Sequence, residues 1–164
     1  MVHKHDRTPL RFALITISDT RTLETDKSGD VMEELVCGDG HQVVHRTLLP
    51  DEPDQITALV FQLTGSADVI CLSGGTGISH RDRSYEAVAA VLDKMLSGFG
   101  ELFRILSYEE IGAAAMLSRA VGGICGNTIV FSLPGSPHAV RLALDKLILP
   151  QVSHLAAELK KHRI

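Results

Sequence analysis

A glycine-rich segment followed by charged residues has the residue types best suited to holding a phosphate group. The segment directly follows an apolar run and consists of Ser73, Gly74, Gly75, Thr76 and Gly77. Glycines let a backbone bend tightly and bring its N–H groups against a ligand without interference from side chains. The two hydroxyls add donors, and a helix that begins near Ser84 would add partial positive charge.

The spacing of these glycines excludes two common nucleotide-binding motifs. A dinucleotide-binding fingerprint that began at Gly75 would need its last glycine at position 80, where the sequence has His80. A Walker loop would end in Gly-Lys-Ser or Gly-Lys-Thr, which is missing here. A tight strand-to-helix turn and a phosphate-binding loop therefore both remain as interpretations of residues 73–77.

Two aspartates near this segment are candidates for acid or metal chemistry. Asp82, between Arg81 and Arg83, could bind Mg²⁺ while the two arginines contact phosphate oxygens. The alternative for Asp82 is a surface ion pair with its arginine neighbours. Asp51 could be a functional acid or could cap the helix that follows it. The sequence alone leaves both choices open.

A third candidate segment, residues 134–137, has the sequence Pro-Gly-Ser-Pro and leads from a strand into a helix. Ser136 suits an N-cap, Pro137 suits the first helical turn, and Gly135 allows the bend. The exposed N–H groups of the same turn could also hold an anion. The eight histidines do not cluster at ligand spacing, so a metal site built from histidines is not expected.

The elements that must position these segments alternate along the chain. Nearly continuous apolar runs predict buried strands over residues 12–17, 69–72 and 129–133, and a further strand fits residues 41–49, which Pro50 closes. Between them, apolar residues recur at helical spacing, and Asp26 is placed to cap a first helix that ends at Gly38. A later helix is expected to begin near Ser84 and to carry Met95 on its apolar face. Residues 98–126 predict only short helices, around 108–115 and near Leu117, and two further helices flank Pro150.

This alternation predicts an α/β fold, a doubly wound, mostly parallel sheet with helices on both faces. We expect a single domain over residues 1–164, with residues 1–10 flexible. In such sheets, ligands bind outside the carboxyl ends of the strands. Three loops fall there: residues 18–20 after the first strand, 73–83 after the third, and 134–137 after the last.

Composition narrows the class of protein. The 164 residues include 16 Lys and Arg against 20 Asp and Glu, a net charge of −4, which excludes a broad basic surface for nucleic acid. Cys37, Cys71 and Cys125 form no pair at ligand spacing and are expected to be small core residues. No secretory signal or membrane-spanning run is apparent, so we expect a cytoplasmic protein.

Seven ordered motifs resemble the MoaB/MogA family of molybdenum cofactor biosynthesis proteins, relatives of the gephyrin G domain. The motifs lie at residues 16–21, 26–29, 50–52, 74–77 with 81–82, 98–104, 117–120 and 134–137. The resemblance extends from Ile15 to about Leu155, and residues 107–112 are more similar to the MoaB branch. It implies a three-layer fold similar to molybdopterin-binding domains, assembled as a homotrimer or homohexamer.

The resemblance also implies a reaction and the residues for it. Active family members transfer an adenylyl group from Mg-ATP to molybdopterin, with Mg²⁺ as cofactor. Asp82 would then serve Mg²⁺ and catalysis, and Asp51 would be the second acid. Residues 73–77 would hold the substrate phosphate, and further substrate contacts would come from Ser118, Gly135 and Ser136. Arg81, Arg83 and Arg119 would supply positive charge.

Two positions depart from the family pattern. Tyr85 and Ser97 stand where family members usually have proline, and neither change removes an acid or a glycine. An alternative function in the same pathway is a non-catalytic protein that binds molybdopterin or its precursor and passes it to other proteins of the pathway.

Overall fold

The computed structural model describes residues 8–161 of the chain. The predicted flexible terminus, residues 1–10, lies mostly outside this range. Within it, Leu10 is buried, and its backbone N–H donates to the Nδ1 atom of His41 at 3.0 Å. This end of the described chain is therefore attached to the core, contrary to the prediction for its last residues.

One six-stranded sheet runs through the described residues, in the order β2-β1-β3-β6-β5-β4. The strands are β1 (Arg11–Ile17), β2 (Gln42–Leu49), β3 (Val69–Ser73), β4 (Lys94–Met95), β5 (Val121–Cys125) and β6 (Thr128–Leu133). Strands β2, β1, β3 and β6 are parallel to one another. At one edge, β5 pairs antiparallel with β6, and β4 pairs antiparallel with β5. The prediction of a mostly parallel sheet is confirmed.

Within residues 8–161, six α-helices cover the sheet. They are α1 (Lys27–Gly38), α2 (Pro53–Leu63), α3 (Ser84–Val91), α4 (Ser97–Ile111), α5 (Pro137–Ala143) and α6 (Leu149–Lys160). Asp26 caps α1 as expected, because its carboxylate accepts the Gly29 N–H at 2.9 Å. A π-helical segment, Leu144–Ile148, joins α5 to α6, so Pro150 lies in the first turn of α6 and does not separate two helices.

Apolar side chains pack on both faces of the sheet and give three layers. On one face, Phe12 and Leu14 of β1 pack with side chains of α1, α4, α5 and α6. On the other face, the alternate residues Ala13 and Ile15 pack with α2 and α3. Successive residues of a strand point to opposite faces, which explains why the β1 sequence is apolar almost throughout. The predicted α/β fold with helices on both faces is confirmed.

Three further predictions are wrong, two for elements and one for burial. The short helix expected around residues 108–115 is not a separate helix: it spans the end of α4, which begins at Ser97 and buries Phe99 and Phe103, and part of the 3₁₀ helix Gly112–Leu117. Helix α3 ends at Val91, so Met95 lies in β4 and not on the face of α3. Cys71 and Cys125 are core residues, but Cys37 is exposed near the end of α1.

The lengths of the helices bear on membrane insertion. No helix within residues 8–161 combines the length and the apolar character that a membrane crossing requires.

Candidate functional site

The three loops expected at the carboxyl ends of the parallel strands meet there. The N–H of Gly74, just after β3, donates to the carbonyl of Leu133 at the end of β6. A Cβ atom on Gly74 would lie 2.2 Å from the carbonyl oxygen of Ile17 at the end of β1, and one on Gly135 would lie 3.3 Å from the Gly74 Cα. The backbones therefore approach too closely for side chains, and the loops form one surface.

The segment 73–77, called the glycine loop below, turns sharply away from β3. Gly74 and Gly75 have φ angles of +104° and +72°, which L-residues with side chains rarely adopt. The carbonyl of Gly75 accepts the N–H of Ser84 at 3.1 Å, so the loop is joined to the start of α3. The hydroxyls of Ser73 and Ser84 are fully buried beside it and have no hydrogen-bond partner among the described residues. Such hydroxyls have free hydrogen-bonding capacity for a ligand or water.

Asp51 lies against the glycine loop and does not cap α2. The N-cap of α2 is Glu52, and the Asp51 carboxylate instead accepts the backbone N–H of Arg83, with both oxygens at 3.3 Å. The residue is 5% exposed. Its own N–H donates to the carboxylate of Asp19 at 3.1 Å. Of the two interpretations of Asp51, the simple helix cap is wrong.

Asp82 turns back toward the glycine loop. Its Oδ2 atom accepts the N–H of Ser79 at 3.0 Å and lies 2.8 Å from the position that a Cβ on Gly77 would occupy. Arg81 forms no ion pair with it among those the structure describes. Arg81 instead forms its ion pairs with two other acids, Asp19 and Glu52.

Arg81 bridges two acids from other loops. Its guanidinium forms a forked pair with the Asp19 carboxylate, with Nη2 at 2.9 and 3.0 Å from the two oxygens, and its Nη1 lies 3.2 Å from Glu52. The pKa of Asp19 is lowered, mainly because its carboxylate accepts the N–H of Asp51 and also because of Arg81. Sequence reasoning did not include Asp19 and Glu52 among the site residues. The sequence did contain signals for both: Asp19 closely follows β1, and Glu52 is adjacent to Asp51.

The other two arginines are placed differently. Each nitrogen of the Arg119 guanidinium donates to a protein acceptor. Two of the three acceptors are the backbone carbonyls of Gly77 and Asp82. The side chain of Arg83 is exposed at the start of α3. Ser118 lies half-buried at a cavity of about 500 Å³ that Glu101 and Arg104 also line. Its hydroxyl has no hydrogen-bond partner among the described residues.

The segment 134–137 completes the surface. Ser136 caps α5 by accepting the N–H of Ala139 at 3.1 Å, as the structural interpretation expected. The carbonyl of Gly135 accepts the Ser28 hydroxyl at 2.6 Å and an N–H of Arg21 at 3.3 Å. Arg21 and Ser28 therefore hold this loop against the start of α1, a role that the sequence analysis did not assign to them.

Most of the chain matches one known protein family. Residues 13–154 match the sequence family described as "Probable molybdopterin binding domain". The chain belongs to this molybdopterin-binding domain family. The matched region includes every candidate site residue from the glycine loop to Ser136. The family predicted from the seven motifs is thereby confirmed.

Relatives of this molybdopterin-binding domain include bacterial proteins of the same size. It is 51% identical over 157 residues to molybdenum cofactor biosynthesis protein B of Bacillus cereus, covering 93% of this chain and 92% of the relative. A crystal structure of a molybdenum cofactor biosynthesis protein B has 49% identity and a TM-score of 0.92, over 95% of this chain and 99% of that one. The tungsten cofactor synthesizing protein MoaB from Pyrococcus furiosus has 36% identity and a TM-score of 0.84, over 93% and 98% of the two chains.

The acids of this molybdopterin-binding domain suit a magnesium ion that is shared with a substrate. Within residues 8–161, no three His, Cys, Asp or Glu side chains are close enough to enclose a metal ion. Mg²⁺ is usually bound through one or two carboxylates together with substrate phosphates, and not by a cage of protein ligands. Asp51 and Asp82, two carboxylates beside the glycine loop, fit that requirement.

The site also has an electrostatic cost. Burial raises the pKa of the Asp51 carboxyl above its ordinary value, and the carboxylates of Asp82 and Asp19 raise it further. The Arg83 amide and the Arg81 guanidinium oppose this rise. Because the folded state binds the proton more tightly than the unfolded state, the free energy of unfolding falls as pH rises between the two pKa values. Ionised Asp51 therefore destabilises the fold at neutral pH.

Replacing Asp51 with asparagine is expected to raise the free energy of unfolding at pH 7. The Asn Oδ1 atom still accepts the Arg83 N–H, whereas the buried charge is removed. In urea denaturation the gain should disappear below the unfolded-state pKa of about 3.9, where wild-type Asp51 is also neutral. The exposed Asp145→Asn change is the control and should alter stability by less than about 0.5 kcal/mol at either pH. An Asp51→Asn protein less stable than wild type at pH 7 would contradict this assignment.

Proposed function

We propose that this chain acts in molybdenum cofactor biosynthesis by binding molybdopterin and adenylylating it with Mg-ATP, releasing pyrophosphate. The observation that carries the proposal is the convergence of Asp51 and Asp82 on the glycine loop, beside the buried, unpartnered hydroxyls of Ser73 and Ser84. The names of its relatives, molybdenum cofactor biosynthesis protein B among them, support the same pathway. We also propose that the protein works in the cytoplasm, where ATP is available.

The proposed reaction requires that the reacting phosphate groups be aligned and that their negative charge be neutralised. An oxygen of the terminal phosphate of molybdopterin attacks the α-phosphorus of ATP, the bond from that phosphorus to the β-phosphate oxygen breaks, and pyrophosphate leaves. Phosphoryl-type transfers of this kind need little covalent help from the protein. Their rates depend on holding the reacting groups in line and stabilising the charge that develops.

The chain offers groups for both tasks. The N–H groups of the glycine loop, with the hydroxyls of Ser73 and Thr76, bind the molybdopterin phosphate. Ser118, Gly135 and Ser136 contact the rest of the substrate. Arg81 and Arg83 are exposed at the same edge, and both supply positive charge to the polyphosphate. Arg81 does so by exchanging its pairs with Asp19 and Glu52 for phosphate oxygens.

Asp51 and Asp82 are the acids that would hold Mg²⁺, with Asp82 as the principal ligand. When bound, the ion would add positive charge to that of the two arginines, which a triphosphate needs from a protein with a net charge of −4. Asp82 is only half-buried, whereas Asp51 is 5% exposed, so Asp82 is the more accessible of the two carboxylates.

A homo-oligomer, either a trimer or a hexamer, is part of the proposal. Helix α4 and the 3₁₀ helix after it carry apolar side chains that are each at least 46% exposed: Leu102, Ile105, Tyr108, Ile111, Met116 and Leu117. Exposed apolar side chains concentrated in one part of a surface are typical of an interface. The mass of the purified protein, measured by light scattering, tests this part of the proposal.

Turnover tests the proposed reaction directly. Purified protein incubated with molybdopterin, ATP and Mg²⁺ is expected to form adenylylated molybdopterin and pyrophosphate in equal amounts. Removing Mg²⁺ with EDTA should abolish the reaction, and adding the ion back should restore it. A known MogA enzyme under the same conditions is the positive control. Absence of both products alongside an active control would overturn the proposal.

Binding measurements in the same samples distinguish the alternative. Molybdopterin binding without consumption of ATP would assign the chain to the non-catalytic, hand-over role. Failure to bind molybdopterin at all would count against both functions.

A further inference from the structure

Arg119 binds the glycine loop and the Asp82 loop at the same time. We use the name Asp82 loop for residues 78–83. The backbone N–H of Arg119 donates to the carbonyl of Thr76 at 3.0 Å, and its Nε donates to the carbonyl of Gly77 at 2.9 Å. Its Nη2 donates to the carbonyl of Asp82 at 2.7 Å. One residue thus links the glycine loop to the far end of the Asp82 loop through backbone acceptors.

Two side chains of α3 hold the Arg119 guanidinium in place. Its Nη1 donates to the carboxylate of Glu86, and this hydrogen bond lowers the pKa of Glu86. The guanidinium carbon lies 5.4 Å from the centre of the Tyr85 ring, within the range of a cation–π interaction. Tyr85 is the residue that replaces the usual proline of the family at the start of this helix. The ring therefore contributes an anchor where the proline is missing.

The arrangement of donors speaks against a direct phosphate contact. All three nitrogens of the guanidinium donate to protein acceptors, and the side chain is 31% exposed. Turning this group toward a ligand would leave the carbonyls of Gly77 and Asp82 without their donors. By contrast, the partners of Arg81 among the described residues are exposed carboxylates from other loops, so Arg81 can move at lower cost.

We infer that Arg119, supported by Tyr85 and Glu86, is a positioning residue that fixes the Asp82 carboxylate relative to the glycine loop. The backbone of Asp82 is held from one side by Arg119, while its carboxylate is held from the other by the Ser79 N–H at 3.0 Å. The inference refines the proposed function and rests on it for the role of Asp82 in turnover. The mechanical part, the restraint on the loop, does not depend on any activity.

Hydrogen–deuterium exchange of the ligand-free protein tests the restraint. In Arg119→Met and Arg119→Lys, peptides that cover residues 76–84 are expected to exchange at least tenfold faster than in wild type. Lysine keeps the charge but cannot serve three acceptors in different directions, so it should not restore protection. Arg141→Met is the matched control, since Arg141 faces only Glu34 at 3.9 Å among its described ion pairs, and it should leave these peptides unchanged.

Single-contact variants keep the test decisive if the Arg119 variants fold poorly. Tyr85→Leu removes the ring and should accelerate exchange of the same peptides by about two- to fivefold, the size of an exposed cation–π contact. Glu86→Gln removes the charge that Arg119 faces and should act in the same direction. Exchange within twofold of wild type in every folded variant of Arg119, Tyr85 and Glu86 would overturn the inference.

Kinetics separate positioning from substrate binding. If Arg119 acts through Asp82, Arg119→Lys should lower kcat at least tenfold while the KM for ATP stays within threefold of wild type. A KM that rises tenfold with kcat unchanged would overturn the positioning role and make Arg119 a substrate ligand. If the wild-type protein did not transfer an adenylyl group, the proposed function would be overturned. The hydrogen–deuterium exchange rates would still decide whether Arg119 restrains the Asp82 loop.

Discussion

Asp82→Asn is expected to lower the rate of adenylyl transfer by roughly 10²- to 10³-fold, because it removes the principal carboxylate for Mg²⁺ and the electrostatic stabilisation that the ion provides. The fold should remain intact. The Asn Oδ1 atom can still accept the Ser79 N–H, which the Asp82 Oδ2 accepts at 3.0 Å, and the residue is only half-buried. Steady-state rates at saturating ATP and molybdopterin, measured over a series of Mg²⁺ concentrations, give the result.

A matched substitution separates a local effect from a general loss of negative charge. Asp145→Asn makes the same chemical change at an exposed position on the segment between α5 and α6 and should retain the wild-type rate. The free energy of unfolding of both variants should stay within about 0.5 kcal/mol of wild type. If Asp82→Asn retained more than half of the wild-type rate, Asp82 would have no role in catalysis.

The parts of the fold predicted well from sequence are those whose burial is complete. Residues 12–17 and 129–133 are recognisable as strands because both faces of β1 and β6 pack against helices, so the apolar runs are nearly continuous. The cap at Asp26 and the cap at Ser136 are local interactions within three residues, and local patterns identify them. Position and burial of these elements therefore follow from short stretches of sequence.

The region from residue 94 to residue 125 was predicted poorly because its structure depends on distant partners. Strand β5 contains Gly122 and Gly123, which have low strand propensity. A Cβ at Gly122 would lie 2.8 Å from the Phe131 ring, so the neighbouring side chain in β6 leaves room only for glycine at this position. Helix α4 contains two glycines in its first turn, yet the burial of Phe99 and Phe103 stabilises it. Packing against the sheet outweighs the local preference in both elements.

In the candidate site, too, local features were predictable from sequence and contacts between distant residues were not. The glycine loop, Asp51 and Asp82 were recognisable because residue type and position after a strand are visible in sequence. The partners of the charged groups were not, because Arg81 reaches Asp19 across 62 positions of the chain, and Arg119 reaches Asp82 across 37. Two arginines that looked equivalent in sequence therefore have different surroundings, one in an exchangeable surface pair and one in a loop restraint.

Gly75→Ala is expected to remove activity and to lower the free energy of unfolding by about 2–6 kcal/mol, for two separable reasons. The φ angle of +72° is strained for alanine, at about 1–3 kcal/mol. The added methyl group would also lie 2.1 Å from the Ser84 Oγ and 2.5 Å from the Asp51 Oδ2, so both side chains must move, at a further cost of about 1–3 kcal/mol. Displacement of Asp51 from the Arg83 N–H then disrupts the acid that the proposed reaction needs.

Gly65→Ala separates the two causes, and the comparison decides how tightly the site is packed. Gly65 has a φ angle of +89°, but no atom lies within 4 Å of the position of an added Cβ. Gly65→Ala should therefore show the conformational cost alone, about 1–3 kcal/mol in urea denaturation, and keep the wild-type rate. Equal losses of stability in the two variants, with activity retained in Gly75→Ala, would mean that Asp51 and Ser84 move aside freely. Since both side chains are at least 95% buried, we expect them not to, and the variant at Gly75 should lose both stability and turnover.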